Sequence, residues 1–163
     1  MALSRPELGR LLALLLPLGL LIAAMASQYL GGLHPCEMCY WQRWPHAAAI
    51  PLAALAFTAS AVSPRSRLLT LLAAAAIAVS GAIGVYHAGV ELGVFEGFTT
   101  CTSTARGAST EELLKQIMKV PLVRCDEVQW AFLGISMAGW NAILSLGGAA
   151  AIAWLTLAGR RTR

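Results

Sequence analysis

Residues 68–90 read LLTLLAAAAIAVSGAIGVYHAGV, which is 23 residues in a row without a formal charge. A soluble helix of this length has one polar face, whereas this stretch is apolar on every face. Three further uncharged runs cover residues 11–36, 44–64 and 128–159. Since a helix needs roughly 20 apolar residues to cross a bilayer, the sequence predicts four membrane spans, near residues 8–30, 44–62, 68–90 and 132–157.

The composition agrees with this interpretation. Of the 163 residues, 58% are hydrophobic and 12% are charged, whereas soluble domains have about 25% charged residues. This excludes a soluble helical protein, and the length fits one domain. The sequence therefore predicts an all-α membrane protein with a single domain, residues 1–163, built as a bundle of four transmembrane helices.

The basic residues predict how the spans are oriented. The two chain ends and the connection between the second and third spans hold seven basic residues and one acid. The other two connections, loops 31–43 and 91–131, hold five basic residues and seven acids. Because Lys and Arg near span ends favour the cytoplasmic side, both termini are predicted inside and both loops outside. The net charge of +4 reflects this topology and does not indicate nucleic-acid binding.

The first apolar run has an alternative interpretation. Arg5, Arg10, the Leu-rich stretch and Ala24-Met25-Ala26 resemble a signal peptide with a small-residue cleavage site. Cleavage would leave three spans, with the following loop still outside. The apolar run continues to Leu33 and is long enough to span the bilayer, so a retained helix is the favoured prediction.

All four cysteines fall in the two outer loops: Cys36 and Cys39 in the first, Cys101 and Cys125 in the second. Unpaired cysteines usually behave as small buried hydrophobes, so their absence from the spans is informative. An oxidising compartment outside the membrane allows each pair to form a disulfide.

The first pair has two residues between its cysteines. A disulfide across so short a loop restrains little of the unfolded chain and suits redox exchange. Pro35 is well placed to start a helix, and both sulfurs would then lie in its first turn, where the helix dipole favours a thiolate.

The second pair brackets a polar loop. Within it, Ser109-Thr110-Glu111-Glu112 matches a capping box, and the apolar residues 113, 114, 117 and 118 follow at helical spacing. This predicts a short amphipathic helix on the membrane surface. From spacing alone, Cys101 and Cys125 are either a structural tether for this loop or a redox pair.

The chain resembles the disulfide bond formation protein B (DsbB) family in three segments. Residues 33–43, LHPCEMCYWQR, are similar to the family's signature loop, Pro-Cys-x-x-Cys followed by Arg four residues later. Tyr86-His87 at the end of the third span also matches. So does the segment 125–137, CDEVQWAFLGISM, which leads into the fourth span.

This resemblance implies a function and a set of partners. The protein would reoxidise a periplasmic, thioredoxin-like dithiol oxidase of the DsbA type and pass the electrons to ubiquinone or menaquinone in a bacterial inner membrane. The partner would attack a Cys101–Cys125 disulfide and form a mixed disulfide with Cys101. Cys125 would then exchange with Cys36, and Cys39 would face the quinone.

Three further residues are candidates for the quinone site. Arg43 lies four residues after Cys39, so on a helix the two share a face, and its charge suits a thiolate or a developing quinone oxyanion. The alternative is an interfacial Arg that reaches toward water. His87 titrates in the pH range in which quinone reduction takes up protons, or is simply an interfacial polar residue. Met137 lines the ring pocket or packs in the core.

Three rival functions stay open. Another quinone-linked thiol enzyme, similar to the vitamin K epoxide reductase family, is disfavoured because that family carries its CxxC near the last span. The second is a membrane protein that binds a metal ion through its four cysteines. A scaffold with two structural disulfides is the third.

Overall fold

The computed structural model describes residues 3–97 and 123–158. This part of the chain contains four helices, α1 (Arg5–Tyr29), α2 (Glu37–Ala56), α3 (Pro64–Glu91) and α4 (Met137–Ala158). A minimal antiparallel hairpin, β1 (Ala131–Phe132) and β2 (Ile135–Ser136), precedes α4. The predicted helical class is confirmed, while the predicted surface helix and Cys101 lie outside the described residues.

Three of these helices, α1, α3 and α4, are long and apolar enough to cross a membrane. Helix α2 has 20 residues, but its first half carries Glu37, Gln42, Arg43 and His46. These polar side chains lower its hydropathy, so composition alone does not identify α2 as a span.

The helix starts follow from local sequence. Ser4 and Glu7 form a capping box at α1. At α3, the Ser63 hydroxyl accepts a hydrogen bond from the Ser66 amide, and Pro64 occupies the first helical position. At α2 the capping residue is Cys36, whose Sγ accepts a hydrogen bond from the Cys39 amide at 3.3 Å. Both sulfurs therefore lie at the start of α2, as Pro35 predicted.

Three helix ends lie five or more residues from the predicted span limits. Helix α2 begins at Glu37, inside the predicted loop 31–43, rather than near residue 44, because Cys36 caps the helix there. Helix α2 ends at Ala56 rather than near residue 62, because the chain must turn back before Pro64, which holds Ser63 in an extended conformation. Helix α4 begins at Met137 rather than near residue 132. Leu133 and Gly134 have φ values of 53° and 76°, as a two-residue type I′ turn requires, so residues 131–136 form a hairpin instead of a helical turn.

The helices pack as a ring in which α1 and α3 each contact both α2 and α4. Small side chains fill the centre, chiefly alanines with Ile77 and Ile152. A Cβ atom at Gly84 would lie 3.0 Å from the Ala138 carbonyl oxygen, so α3 and α4 approach through backbone contact. Large apolar side chains such as Ile22, Val79 and Ile143 lie exposed on the outside. Small side chains inside and large apolar side chains outside are the arrangement typical of helices packed within lipid.

Candidate redox site

The two thiols of the CxxC pair lie together at the start of α2. The Sγ atoms of Cys36 and Cys39 are 3.0 Å apart, and Cys36 is buried while Cys39 is half-buried. The hydrogen bond with Cys36 lowers the pKa of Cys39 to about 7, and the Arg43 charge adds to this effect. The same hydrogen bond, together with burial, raises the pKa of Cys36. Cys39 is therefore the sulfur of the pair that carries the thiolate.

A third cysteine packs against this pair. Cys125 is fully buried and shares a cluster with Cys36, Met38 and Val90. The segment 123–130 that carries it forms the end of the second predicted loop. The fold thus brings a cysteine of that loop to the CxxC pair, although 85 residues or more separate them along the chain.

A cavity of about 400 Å³ opens beside the thiols. Its walls are mainly apolar side chains of α1 and α4, including Leu20 and Leu144. The predicted site residues that line it are Cys36, Cys39, Arg43, His87 and Met137. An apolar pocket of this size with a few convergent polar groups is the usual form of a small-molecule site.

Arg43 is fixed by the end of α1. Its guanidinium donates to the Gln28 side-chain oxygen at 2.6 Å and to the Ala24 carbonyl at 3.2 Å. It also lies over the Tyr40 ring, 5.3 Å from the centroid. Arg43 therefore joins α1 to α2 while its charge stays at the cavity wall beside Cys39.

His87 lies between the thiols and a polar interior. Its Nε2 is 3.5 Å from Cys36 Sγ, and its Nδ1 is 2.8 Å from Gln42 Nε2. The carboxylate of Glu91 lies 3.9 Å from Nε2 and accepts a hydrogen bond from Ser136. His87 is 3% exposed, so it is a buried neighbour of the thiols rather than a polar residue at the surface.

The polar contacts continue inward from His87 to Asn141. Asn141 Nδ2 donates to Gln42 Oε1 at 2.8 Å and also to Ser80, and Asn141 Oδ1 lies 3.0 Å from His46 Nε2. We call the series Cys36, His87, Gln42, Asn141 and His46 the polar chain. Asn141 thus links α4 to α2 and α3 through hydrogen bonds.

Gln42 and His46 were not predicted as site residues, although their spacing from the CxxC pair could have indicated them. They lie three and seven residues after Cys39, and that spacing places them on the same face of α2 as the CxxC pair. A histidine buried within the helix bundle of a membrane protein is itself a functional indicator.

Metal ligation also has a geometric basis at this site. Within the part of the chain that the structure describes, the ligand atoms of Cys36, Cys39 and His87 lie within 4.8 Å of one another. Two cysteines and a histidine are a donor set that suits zinc.

Comparison with known proteins gives a consistent result. The family model "Disulfide bond formation protein DsbB" matches residues 6–155. The Disulfide bond formation protein B of Hahella chejuensis is 31% identical over 147 residues, which cover 84% of this chain and 86% of the relative. Those of Azoarcus sp. and Marinobacter nauticus are each 29% identical and cover 88% and 77% of this chain, and 87% and 76% of their own lengths. No solved structure gives a significant match.

The matched region includes all four helices, the CxxC pair and Cys125. The chain therefore belongs to the DsbB family and is a multi-pass membrane oxidoreductase of disulfide bond formation.

Proposed function

We propose that this protein reoxidises a periplasmic, DsbA-type dithiol oxidase and transfers the electrons to a membrane quinone. The observation that carries the proposal is that three cysteines and a cavity lie side by side. Cys36, Cys39, Arg43 and His87 line one cavity, and Cys125 is buried against Cys36. Thiols that can exchange with a loop cysteine thus lie beside a pocket for an apolar electron acceptor.

The thiol relay that we propose uses this arrangement. The partner's thiolate attacks the Cys101–Cys125 disulfide, bonds to Cys101 and releases Cys125 as a thiolate. Cys125 then attacks Cys36, which breaks the Cys36–Cys39 disulfide and releases Cys39. Cys39 leaves as a thiolate near the Arg43 guanidinium, whose charge lowers its pKa. The partner's second thiolate displaces Cys101, and the partner leaves oxidised. Cys101 then attacks Cys125, which restores the Cys101–Cys125 disulfide and frees Cys36, and the Cys36–Cys39 dithiol passes two electrons and two protons to the quinone as its own disulfide re-forms.

The electron balance requires a strong oxidant. Oxidation of one partner dithiol releases two electrons and two protons, and a quinone that accepts both becomes a quinol. DsbA-type proteins have a potential of about −120 mV, so only a more oxidising acceptor can regenerate them. The apolar cavity walls and the adjacent Arg43 and His87 suit a quinone ring with its polar oxygens.

The proposal includes a topology. All four helices cross the inner membrane, both termini are cytoplasmic, and loops 31–43 and 91–131 are periplasmic. Helix α1 is retained as a span in this arrangement, since Gln28 and the Ala24 carbonyl hold Arg43 at the cavity.

The test is an assay of the purified full-length protein with reduced partner and a water-soluble quinone, followed by quinone absorbance. We expect Cys36→Ala and Cys39→Ala each to abolish turnover, whereas Thr70→Val, a buried change elsewhere in α3, retains it. Near-normal turnover in either cysteine variant contradicts the proposal. With Cys125→Ala, a mixed disulfide between the partner and Cys101 should accumulate. If the partner is trapped on Cys36 instead, the proposed order of the relay is wrong.

Metal binding is a second candidate function, and the close approach of Cys36, Cys39 and His87 favours it. Metal analysis of the purified protein separates the two. Stoichiometric zinc together with no quinone reduction supports the metal site, and quinone turnover by metal-free protein supports the oxidoreductase.

A further inference from the structure

Gln42 lies in the middle of the polar chain and is buried, with 7% of its surface exposed. Its side-chain nitrogen lies 3.2 Å from the Met38 carbonyl oxygen and 2.8 Å from His87 Nδ1. Its side-chain oxygen accepts a hydrogen bond from Asn141 Nδ2 at 2.8 Å. This one amide therefore joins its own helix, α2, to both α3 and α4.

Two backbone carbonyls determine the orientation of the Gln42 amide. The Met38 carbonyl can only accept, so the Gln42 atom beside it is the nitrogen. The Ser80 carbonyl lies 3.2 Å from Asn141 Nδ2 and requires a nitrogen there for the same reason. Because that nitrogen donates, the Gln42 atom that it faces is the oxygen. Both carbonyls thus give the same orientation.

This orientation determines the tautomer of His87. An amide nitrogen donates hydrogen bonds and does not accept them, so His87 Nδ1 must be the acceptor in its contact with Gln42. An accepting ring nitrogen carries no hydrogen. Neutral His87 therefore carries its hydrogen on Nε2, the nitrogen on the side of the cysteines.

The surroundings of His87 Nε2 suit a hydrogen-bond donor. Cys36 Sγ lies 3.5 Å from this nitrogen, and a carboxylate oxygen of Glu91 lies 3.9 Å from it. The ring also forms a hydrogen bond with the Cys125 backbone. Cys36 Sγ in addition accepts a hydrogen bond from the Cys39 amide at 3.3 Å. A negative charge on Cys36 would therefore have two N–H donors beside it.

We propose that Gln42 is a positioning residue, which holds His87 in the tautomer whose Nε2–H stabilises Cys36 as a leaving thiolate. In the proposed relay, Cys101 attacks Cys125 and forms a new disulfide. The Cys36–Cys125 bond breaks, and its electron pair stays on Cys36 with the negative charge that Cys101 brought.

This step is the one that most needs a donor. The hydrogen bond with Cys39, together with burial, raises the pKa of the Cys36 thiol, and a thiol with a high pKa leaves slowly in disulfide exchange. A hydrogen bond from His87 to the departing sulfur offsets this disadvantage. The inference rests on the proposed function and identifies the exchange step on which His87 and Gln42 act.

The tautomer can be tested on the parent protein, so this test does not depend on how a variant folds. The chain has three histidines, so ¹⁵N-histidine labelling of the reduced, full-length protein gives a simple spectrum, which single replacements of His34 and His87 assign. We expect hydrogen on Nε2 of His87 and none on Nδ1. A hydrogen on Nδ1 overturns the inference.

Gln42→Met is the matched variant, because it keeps the length of the side chain but forms neither hydrogen bond. We expect Nδ1 of His87 to carry the hydrogen in part of the Gln42→Met molecules, and an unchanged spectrum contradicts the proposal. Thr70→Val, a buried change elsewhere in α3, should leave the His87 resonances as they are in the parent protein.

Kinetics test the role of the donor. In place of His87, glutamine can place an amide nitrogen near the position of Nε2, whereas asparagine reaches only the position of Nδ1. We expect His87→Asn and Gln42→Met to slow turnover about tenfold, as the loss of a hydrogen bond to a charged group does. His87→Gln should restore most of the rate, and Thr70→Val should keep all of it.

The species that accumulates shows which step is slow. In acid-quenched samples of the two slow variants, we expect the Cys36–Cys125 disulfide to build up. Slow turnover without this intermediate overturns the inference, since it marks a structural role or, if the Cys36–Cys39 dithiol builds up, a role in quinone reduction. If the parent protein itself transfers no electrons from the partner to quinone, the proposed function fails.

Discussion

At the scale of single residues, Arg43 makes the sharpest test of the quinone site. Arg43→Ala should raise the quinone KM roughly ten- to a hundredfold, because a charge-assisted hydrogen bond in a partly desolvated site contributes about 1.5–3 kcal/mol. Thiol exchange with the partner should survive. Steady-state kinetics with quinone as the varied substrate measures the first effect, and mixed-disulfide formation measures the second.

Two further variants separate the charge of Arg43 from its anchoring. Arg43→Lys keeps the charge but loses the planar fork, so it should rescue only in part. Gln28→Ala removes the 2.6 Å partner of the guanidinium and leaves the charge, so its KM effect should be smaller. A KM within about twofold of the parent value for Arg43→Ala makes Arg43 an anchor between α1 and α2 and moves the quinone site elsewhere.

The residues of this site differ in how far sequence could predict them. The CxxC spacing and Arg43 at the following helical turn are local signals, and both could be predicted. The position of Cys36 beside His87 depends on how α2 and α3 rotate about their own axes, and apolar runs carry no information on rotation. His46 escaped notice for the same reason, because only the folded bundle shows its unpaired ring nitrogen.

At the scale of the helices, the contact between α3 and α4 controls the site. Gly84→Ala adds a Cβ that would lie 3.0 Å from both the Ala138 carbonyl oxygen and the Ala142 amide nitrogen. Backbone atoms cannot move aside alone, so we expect a loss of about 1–3 kcal/mol in unfolding free energy. Thermal unfolding in detergent checks the loss. Activity should also fall, since His87 lies one turn away on α3.

Gly147→Ala is the matched control on α4. A Cβ atom there meets nothing within 4 Å, and alanine is favoured over glycine in a helix by up to about 1 kcal/mol. This variant should be as stable as the parent protein or slightly more so. Equal destabilisation by both changes argues against close backbone packing at Gly84.

The ends of the helices show where hydropathy no longer predicts the structure. The uncharged runs located the ends of α1 and α3 to within four residues. The end of α2 and the start of α4 were misplaced because residues 57–62 and 131–136 are themselves mostly apolar. Their turns depend on Pro64 and on the positive φ values of Leu133 and Gly134, which a count of charges does not detect.

At the scale of the whole molecule, the open question of topology is whether α2 crosses the membrane. In a cysteine-free protein, we expect His34→Cys to react with a membrane-impermeant maleimide in intact spheroplasts. Ser60→Cys, at the other end of α2, should react only after lysis. Both positions are exposed, so accessibility to the reagent does not bias the comparison. Equal labelling of the two in intact spheroplasts means that α2 does not cross.

The polar chain has a thermodynamic consequence for the molecule. It runs from Cys36 to His46, and its outer end changes when Cys36 forms a disulfide, because the sulfur that contacts His87 then carries no hydrogen to donate. A cavity ligand that binds one of these two states more tightly must shift the disulfide equilibrium by the same factor, since coupling between sites is reciprocal. The midpoint potential of the CxxC pair therefore shifts with any cavity ligand that distinguishes the two states, and an inhibitor that does so also acts as a redox effector.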